Sequence, residues 1–280
     1  MPHFIEEEKK IEKEANQVVR NEFLKIGVAI EKYPQIFERL VEINNNREGH
    51  FYDAIKMAEI VDLIWENLDL KGISKEKMKL CILVHDIGKS GPLNISENGK
   101  KIIKKLFQHR PFKDSRDKPI SLALAEENIE GRDEINKFLS EELKIDTNQE
   151  KMIDFWRRHV DWSYEILKNN RSDLIDEEVI LIVAAHHLLD GKDPAQILAK
   201  GQEVSLNAQF LEIIDKYQIL TLIDKYQAYR GRSNYSHEEA ILYLKDLVEK
   251  SNFSEKTKQE YLKFVDILDK SRDKLKELTY

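Results

Sequence analysis

The chain has 280 residues, enough to bury a sizeable core, and carries 45 basic against 52 acidic side chains for a net charge of −7. That balance excludes a protein whose main work is to coat phosphate backbones, so nucleic-acid binding is not expected. A single cysteine, Cys81, excludes disulfide stapling and a thiolate-rich metal site; within the apolar run Leu80 to Val84 it reads as a small core residue.

The first ten residues are acidic and lack an apolar signal core, and no later stretch approaches bilayer length. The chain therefore reads as cytoplasmic, with no membrane partner. With only 10 Gly and 6 Pro, and with apolar residues spaced three and four apart, it reads as all-α. Residues 1–48 form a charged amphipathic extension, and residues 236–280 a carboxy-terminal helical pair. Both suit internal packing or a homodimer contact.

Between them, residues 49–235 form the central unit. Phe51, Ala54, Ile55, Ala58, Val61, Trp65 and Leu68 predict one helix, and Ser74 caps a second that runs through Met78 to Val84 and should end at Gly88. Residues 90–145 are broken by Gly91-Pro92, Asn98-Gly99, Arg110-Pro111 and Lys118-Pro119, the mark of an inserted cap. Thr147 and Glu150 have capping-box spacing ahead of a helix through Leu167 that carries His159. Glu177 to Leu189, without a polar residue from Val179 to Ala185, predicts an enclosed helix stopped at Asp190-Gly191, with His186 and His187 in its last turn. Asp193-Pro194 should open a short helix, Phe210 to Arg230 a longer one containing Asp224, and Ser236 with Glu239 another capping box.

Chemistry concentrates in the histidines. Five of the eight, His50, His85, His159, His186 and His187, fall at the ends of apolar helices or beside buried faces, together with the carboxylates Asp86 and Asp224. Several buried ionisable groups each need compensation, and a metal compensates them together. Imidazoles and carboxylates without thiolate suit divalent iron, manganese, zinc, cobalt or magnesium. Neighbouring residues at a helix end point about 100° apart, so His85 can hold one ion while Asp86 bridges to a second. Two such ions would acidify a bridging water for in-line attack on phosphorus, with Asp86 and Lys89 as the catalytic pair and Lys89 on a phosphoryl oxygen. Arg157 with Arg158, or Lys113, Arg116 and Lys118 of the insertion, offer charge to the rest of an anionic substrate.

The order His50, His85-Asp86, His159, His186-His187, Asp224 resembles the HD superfamily of metal-dependent phosphohydrolases, and most closely its HD-GYP branch. The likeness covers Gly49 to Tyr235 apart from the insertion. It implies a helical bundle with a binuclear site, in which His50, His85, Asp86 and Asp224 hold one metal and Asp86, His159, His186 and His187 the other. Lys89, Arg158 and Arg232 would meet a small phosphorylated, nucleotide-like substrate. Leu188 stands where the branch has an acidic residue, and Lys192-Asp193-Pro194 replaces its Gly-Tyr-Pro element, which moves the substrate away from cyclic di-GMP. Asn46, where some relatives place a glutamate, argues against a third metal. The implied activity is hydrolysis of a phosphomonoester or phosphodiester. The same ligand series resembles mixed-valent di-iron oxygenases, and a nucleotide-binding regulatory protein without turnover is the third alternative.

Overall fold

The computed structural model describes residues 2–44, 50–70, 72–107, 110–190, 214–276 and 278. Among them are 13 α-helices and no strand. They are α1 (Pro2–Lys25), α2 (Pro34–Asn44), α3 (His50–Ile64), α4 (Lys75–Val84), α5 (Glu97–Leu106), α6 (Ile120–Glu126) and α7 (Arg132–Glu141). Then follow α8 (Met152–Asn169), α9 (Glu177–Ala184), α10 (Ile214–Gln227), α11 (His237–Lys250), α12 (Glu255–Lys270) and the short α13 (Arg272–Leu275). No helix among the described residues is long and apolar enough to cross a membrane.

Side-chain caps set several starts. Ser74 accepts from the Lys77 amide at α4 and Asp176 from the Val179 amide at α9, while Ser236 and Glu239 close the expected capping box at α11. The box expected at Thr147 and Glu150 does not form. Instead α8 starts one residue after Lys151, without a side-chain cap. The Glu150 carboxylate is taken by both Arg158 nitrogens, and the Thr147 carbonyl accepts the Ser121 amide.

Four helix ends also differ from expectation. The helix expected through Leu68 stops at Ile64 and passes into a 3-10 turn, Trp65–Asn67. α4 stops at Val84, not Gly88, and Gly88 lies inside a 3-10 turn, Ile87–Ser90, closed by Gly91 at φ 97°. α9 stops at Ala184, so His186 and His187 sit on the turns that follow, ahead of a 3-10 turn Leu188–Asp190. α10 runs into a π-helical turn, Ala228–Arg232. The short helix expected at Asp193-Pro194, the Lys192-Asp193-Pro194 element, Asn46 and Gly49 lie outside the described residues.

The helices α3, α4, α8, α9 and α10 contact one another around the segment 85–90. One apolar cluster runs from Ala15 of α1 to Leu275 of α13 and takes in Cys81, Ile103, Leu106, Phe107, Ile120, Leu124, Phe138 and Leu139. The interrupted stretch after Ser90 therefore shares the core of the central helices. Arg39 of α2 clamps the turn from outside, giving Nη1 hydrogen bonds to Ser90 Oγ (2.9 Å) and the Gly91 carbonyl (2.9 Å), and an Nη2 bond to the Pro92 carbonyl (3.2 Å).

Among the described glycines Gly88 leaves the least room for a side chain. A Cβ there would lie 2.0 Å from the His159 carbonyl oxygen and 2.5 Å from the Ser163 amide nitrogen, both backbone atoms of α8. Ser163 Oγ also accepts from the Gly88 amide (2.9 Å) and donates to the His85 carbonyl (2.8 Å). Gly88→Ala must therefore push α8 and the turn apart, and we expect a loss of about 3 kcal/mol, the upper end for overpacking. Urea unfolding of the variant checks this; a loss under ~0.5 kcal/mol, the scale of an ordinary surface change, would contradict the packing described.

Candidate metal centre

The backbone carbonyl three residues earlier orients three of the histidine rings. At α4 the His85 ring folds back and donates from Nδ1 to the Ile82 carbonyl (2.7 Å), and at α9 His186 does the same to Val183 (2.6 Å). Within α8, His159 Nδ1 meets the Trp156 carbonyl at 2.5 Å. A carbonyl oxygen only accepts, so each Nδ1 carries a proton, and in the neutral ring each Nε2 presents a lone pair.

Those lone pairs converge on Asp86. Nε2 of His159 lies 3.0 Å and that of His186 3.8 Å from Asp86 Oδ1, while His85 Nε2 is 3.4 Å from Oδ2. The Nε2 atoms of His159 and His186 face each other at 3.1 Å. Two acceptor nitrogens so placed repel unless a cation lies between them, and two imidazoles on one ion at about 2.1 Å and right angles would be about 3 Å apart. The donor set therefore fits a metal ion. Ligand atoms of His159, His186 and His187 lie within 4.8 Å of one another, as do those of His85, Asp86 and His186.

His187 is oriented by a partner that motif reading missed. Its Nδ1 donates to the Asp190 carboxylate, which Lys225 Nζ approaches at 2.5 Å. A carboxylate behind an imidazole fixes its tautomer and raises its basicity as a ligand. Asp190, read from sequence only as a helix stop, stands three residues beyond His187, and that spacing on a turn is the signal that could have revealed it.

His50 and Asp224 sit at the margin. The buried His50 ring lies with Nε2 3.2 Å from the Phe107 carbonyl and with Nδ1 3.2 Å from Lys89 Nζ. Asp224 Oδ1 is 3.9 Å from His85 Nε2, and its Oδ2 is 3.6 Å from Lys225 Nζ. Neither residue belongs to the two tight groups. Lys89 is buried, with Nζ 2.5 Å from Asp86 Oδ2, so an ammonium lies between His50 and Asp86.

Burial and these neighbours move the proton affinities. Burial alone would raise the Asp86 carboxyl, but the charge of His85 and His159 when their rings are protonated, and that of Lys89 throughout, hold it well below its ordinary range. Burial, foremost, lowers His159, against the pull of Asp86. Burial also pushes His186 and His187 well below the usual imidazole value, helped by the neighbouring histidines at His186 and by Lys225 at His187. Neutral imidazoles beside an ionised carboxylate are the protonation states that metal binding requires.

The cluster opens into a cavity of about 440 Å³. Asp86, Lys89, His159, His187, Asp190 and Asp224 form its polar floor, and Phe107, Trp156, Tyr229 and Tyr243 its aromatic walls. Arg116, Arg157 and Lys225 also line it. Of the two arginines before His159, the structure puts Arg157 rather than the expected Arg158 in the wall; Arg158 is held by Glu150. Arg232 ends the π-helical turn, and its side chain is outside the described residues. Lys225, Tyr229 and Tyr243 carried no sequence expectation. The π-helical turn that carries Tyr229 is a feature that often marks functional sites.

No protein family, curated protein or solved structure matches the chain.

The lowered histidines give a pH signature for metal-free protein. In the unfolded chain these imidazoles titrate near ~6.5 and in the folded protein lower, so below that pH the unfolded state binds more protons. The stability due to His159, His186 and His187 is complete above pH ~6.5 and falls as pH drops through the window beneath it, by up to about 1.4 kcal/mol per pH unit for each histidine. Asp86, with its depressed value, contributes stability that is present above ~4 and lost below it. Urea titrations of chelator-treated protein between pH 7.5 and 5 measure the slope; a flat profile would contradict burial of neutral imidazoles.

Proposed function

We propose that the chain is a metal-dependent phosphohydrolase of the HD type, which cleaves a phosphomonoester or phosphodiester of a nucleotide-like substrate with two divalent ions. The observation that carries the reading is the convergence of the His85, His159 and His186 lone pairs on one buried carboxylate, Asp86, at the floor of a cavity rich in cations.

Asp86 divides the donor set. Its Oδ1 faces His159 and His186, and its Oδ2 faces His85 and Lys89, an arrangement suited to a bridging carboxylate. His159, His186, His187 and Asp86 Oδ1 would hold one ion; His85, Asp86 Oδ2 and Asp224 would hold the second, joined by His50 if Lys89 moves from its Nδ1. When bound, such ions supply an acidified water and polarisation of a phosphoryl oxygen. The chain's own groups do the rest. Lys89, on the cavity floor beside Asp86, can turn its ammonium to a phosphoryl oxygen and offset charge that grows during cleavage. Asp190 keeps the His187 proton on Nδ1, so that Nε2 stays a ligand. The aromatic walls exclude water from the reacting end of the substrate.

Metal content measured beside a panel of phosphate esters tests the reading. Asp86→Ala and His159→Ala should each lose metal affinity by at least about a hundredfold and phosphate release with it, while Asp190→Asn, which leaves the ligands but not the His187 tautomer, should lose about 10–100-fold in affinity. Full metal and activity in Asp86→Ala would overturn the site. Two irons per chain, oxygen uptake with a polyol or phosphonate and no phosphate release would overturn the reaction and favour oxygenase chemistry.

A further inference from the structure

The cavity cations differ in what they are bound to. Lys89 pairs with Asp86, and Lys225 with Asp190 at 2.5 Å and Asp224 at 3.6 Å. Arg157 donates to the Asp190 carbonyl at 3.2 Å and lies 3.6 Å from Asp154. Arg116 is the exception: among the described residues its guanidinium makes no ion pair or hydrogen bond, although it lines the cavity. It does not hang loose there, because its own carbonyl accepts the Ile153 amide (2.9 Å) and the Lys118 carbonyl accepts the Met152 amide (3.0 Å). The insertion thus holds an uncommitted guanidinium at the mouth of a site whose other cations already face carboxylates.

A second feature exceeds the needs of a bare phosphate. Tyr229 and Tyr243 stand with ring centroids 4.2 Å apart, and Tyr235 stacks on Tyr229 at 5.9 Å. Trp156 and Phe107 line the same cavity, whose volume of about 440 Å³ lies in the usual range for small-molecule sites, roughly 300–1,000 Å³. Aromatic walls bury a planar ring, and a guanidinium fork matches a phosphate or carboxylate through two parallel hydrogen bonds.

We propose that Arg116 reads a second oxyanion on the substrate, so that the site takes a ring-bearing phosphate ester with another phosphate or carboxylate away from the bond to be cleaved. This rests on the phosphohydrolase reading for the reaction, but not for the binding. A substrate with one phosphate leaves Arg116 unmatched, so the second anion sets selectivity. Because Arg116 is exposed, the preference is modest, about tenfold.

The test uses the metal-loaded full chain with adenosine 5′-monophosphate and adenosine 3′,5′-bisphosphate as probes. Equilibrium titration gives the ratio of their affinities, and phosphate release the ratio of kcat/KM. Wild type should favour the bisphosphate by about tenfold in affinity, Arg116→Gln should bring that ratio toward one, and Arg116→Lys should keep part of it. Thermal unfolding of both variants confirms that they fold. Equal binding of the two probes, binding of neither, or an unchanged ratio in Arg116→Gln overturns the proposal. An Arg116-dependent preference in binding without any phosphate release overturns the hydrolase reading and leaves the anion site standing. Release of phosphate from both probes with equal affinity does the reverse.

Discussion

The carboxylate of Asp86 is the constraint from which the rest follows. Taking an ionised group out of water costs several kcal/mol unless partners replace the solvent. Here Lys89, one 3-10 turn along the chain, supplies the ion pair, and the Nε2 atoms of His85 at the end of α4, His159 of α8 and His186 after α9 converge on the same carboxylate, so that a cation among them would complete the compensation. The contact of Gly88 with the α8 backbone and the Arg39 clamp on Gly91 and Pro92 serve the same end, since both fix the segment that carries Asp86.

Fold and chemistry meet in the same hydrogen bonds. The Ile82 and Val183 carbonyls, each already reached by a backbone amide, accept a further hydrogen bond from the rings of His85 and His186. The price is that Nδ1 is committed, and the result is that Nε2 is turned inward with its lone pair free for a cation. An Asn or Gln in the same place could cap the carbonyl, yet would not present a second, basic nitrogen on a rigid ring.

Much of this is legible in the sequence. The apolar period of three and four marked α3 and α8, Ser74 marked the start of α4, and the capping box at Ser236 formed as read. What failed did so for lack of distant partners. Thr147 and Glu150 have capping-box spacing, but Arg158 and the Ser121 amide lie closer to hand. Helix phase, rather than composition, separates the two arginines: Ile153, Trp156 and Arg157 share one i, i+3, i+4 face toward the cavity, and Arg158 falls off it. His50 looked equivalent to the other histidines because sequence cannot show the Lys89 ammonium standing between it and Asp86. The Asp190 to Lys225 pair joins residues 35 apart, and only folding makes them neighbours.

The segment 90–145 is tied to the start of α8 by backbone hydrogen bonds as well as by the side chains it packs into the core. The Ile120 amide bonds the Glu150 carbonyl, Ser121 bonds Thr147, and the Met152 and Ile153 amides return to Lys118 and Arg116. Pro119 and Lys151 form an isolated antiparallel bridge among them. To swing this segment away as a lid would break four backbone bonds at the start of α8, each worth about 0.5–1.5 kcal/mol net, and would pull on the helix that holds His159. Motion of this segment and the geometry of the candidate metal ligands are therefore coupled. On the proposed function a wall so tied would select substrates by what it presents in place, since Arg116 already lines the cavity.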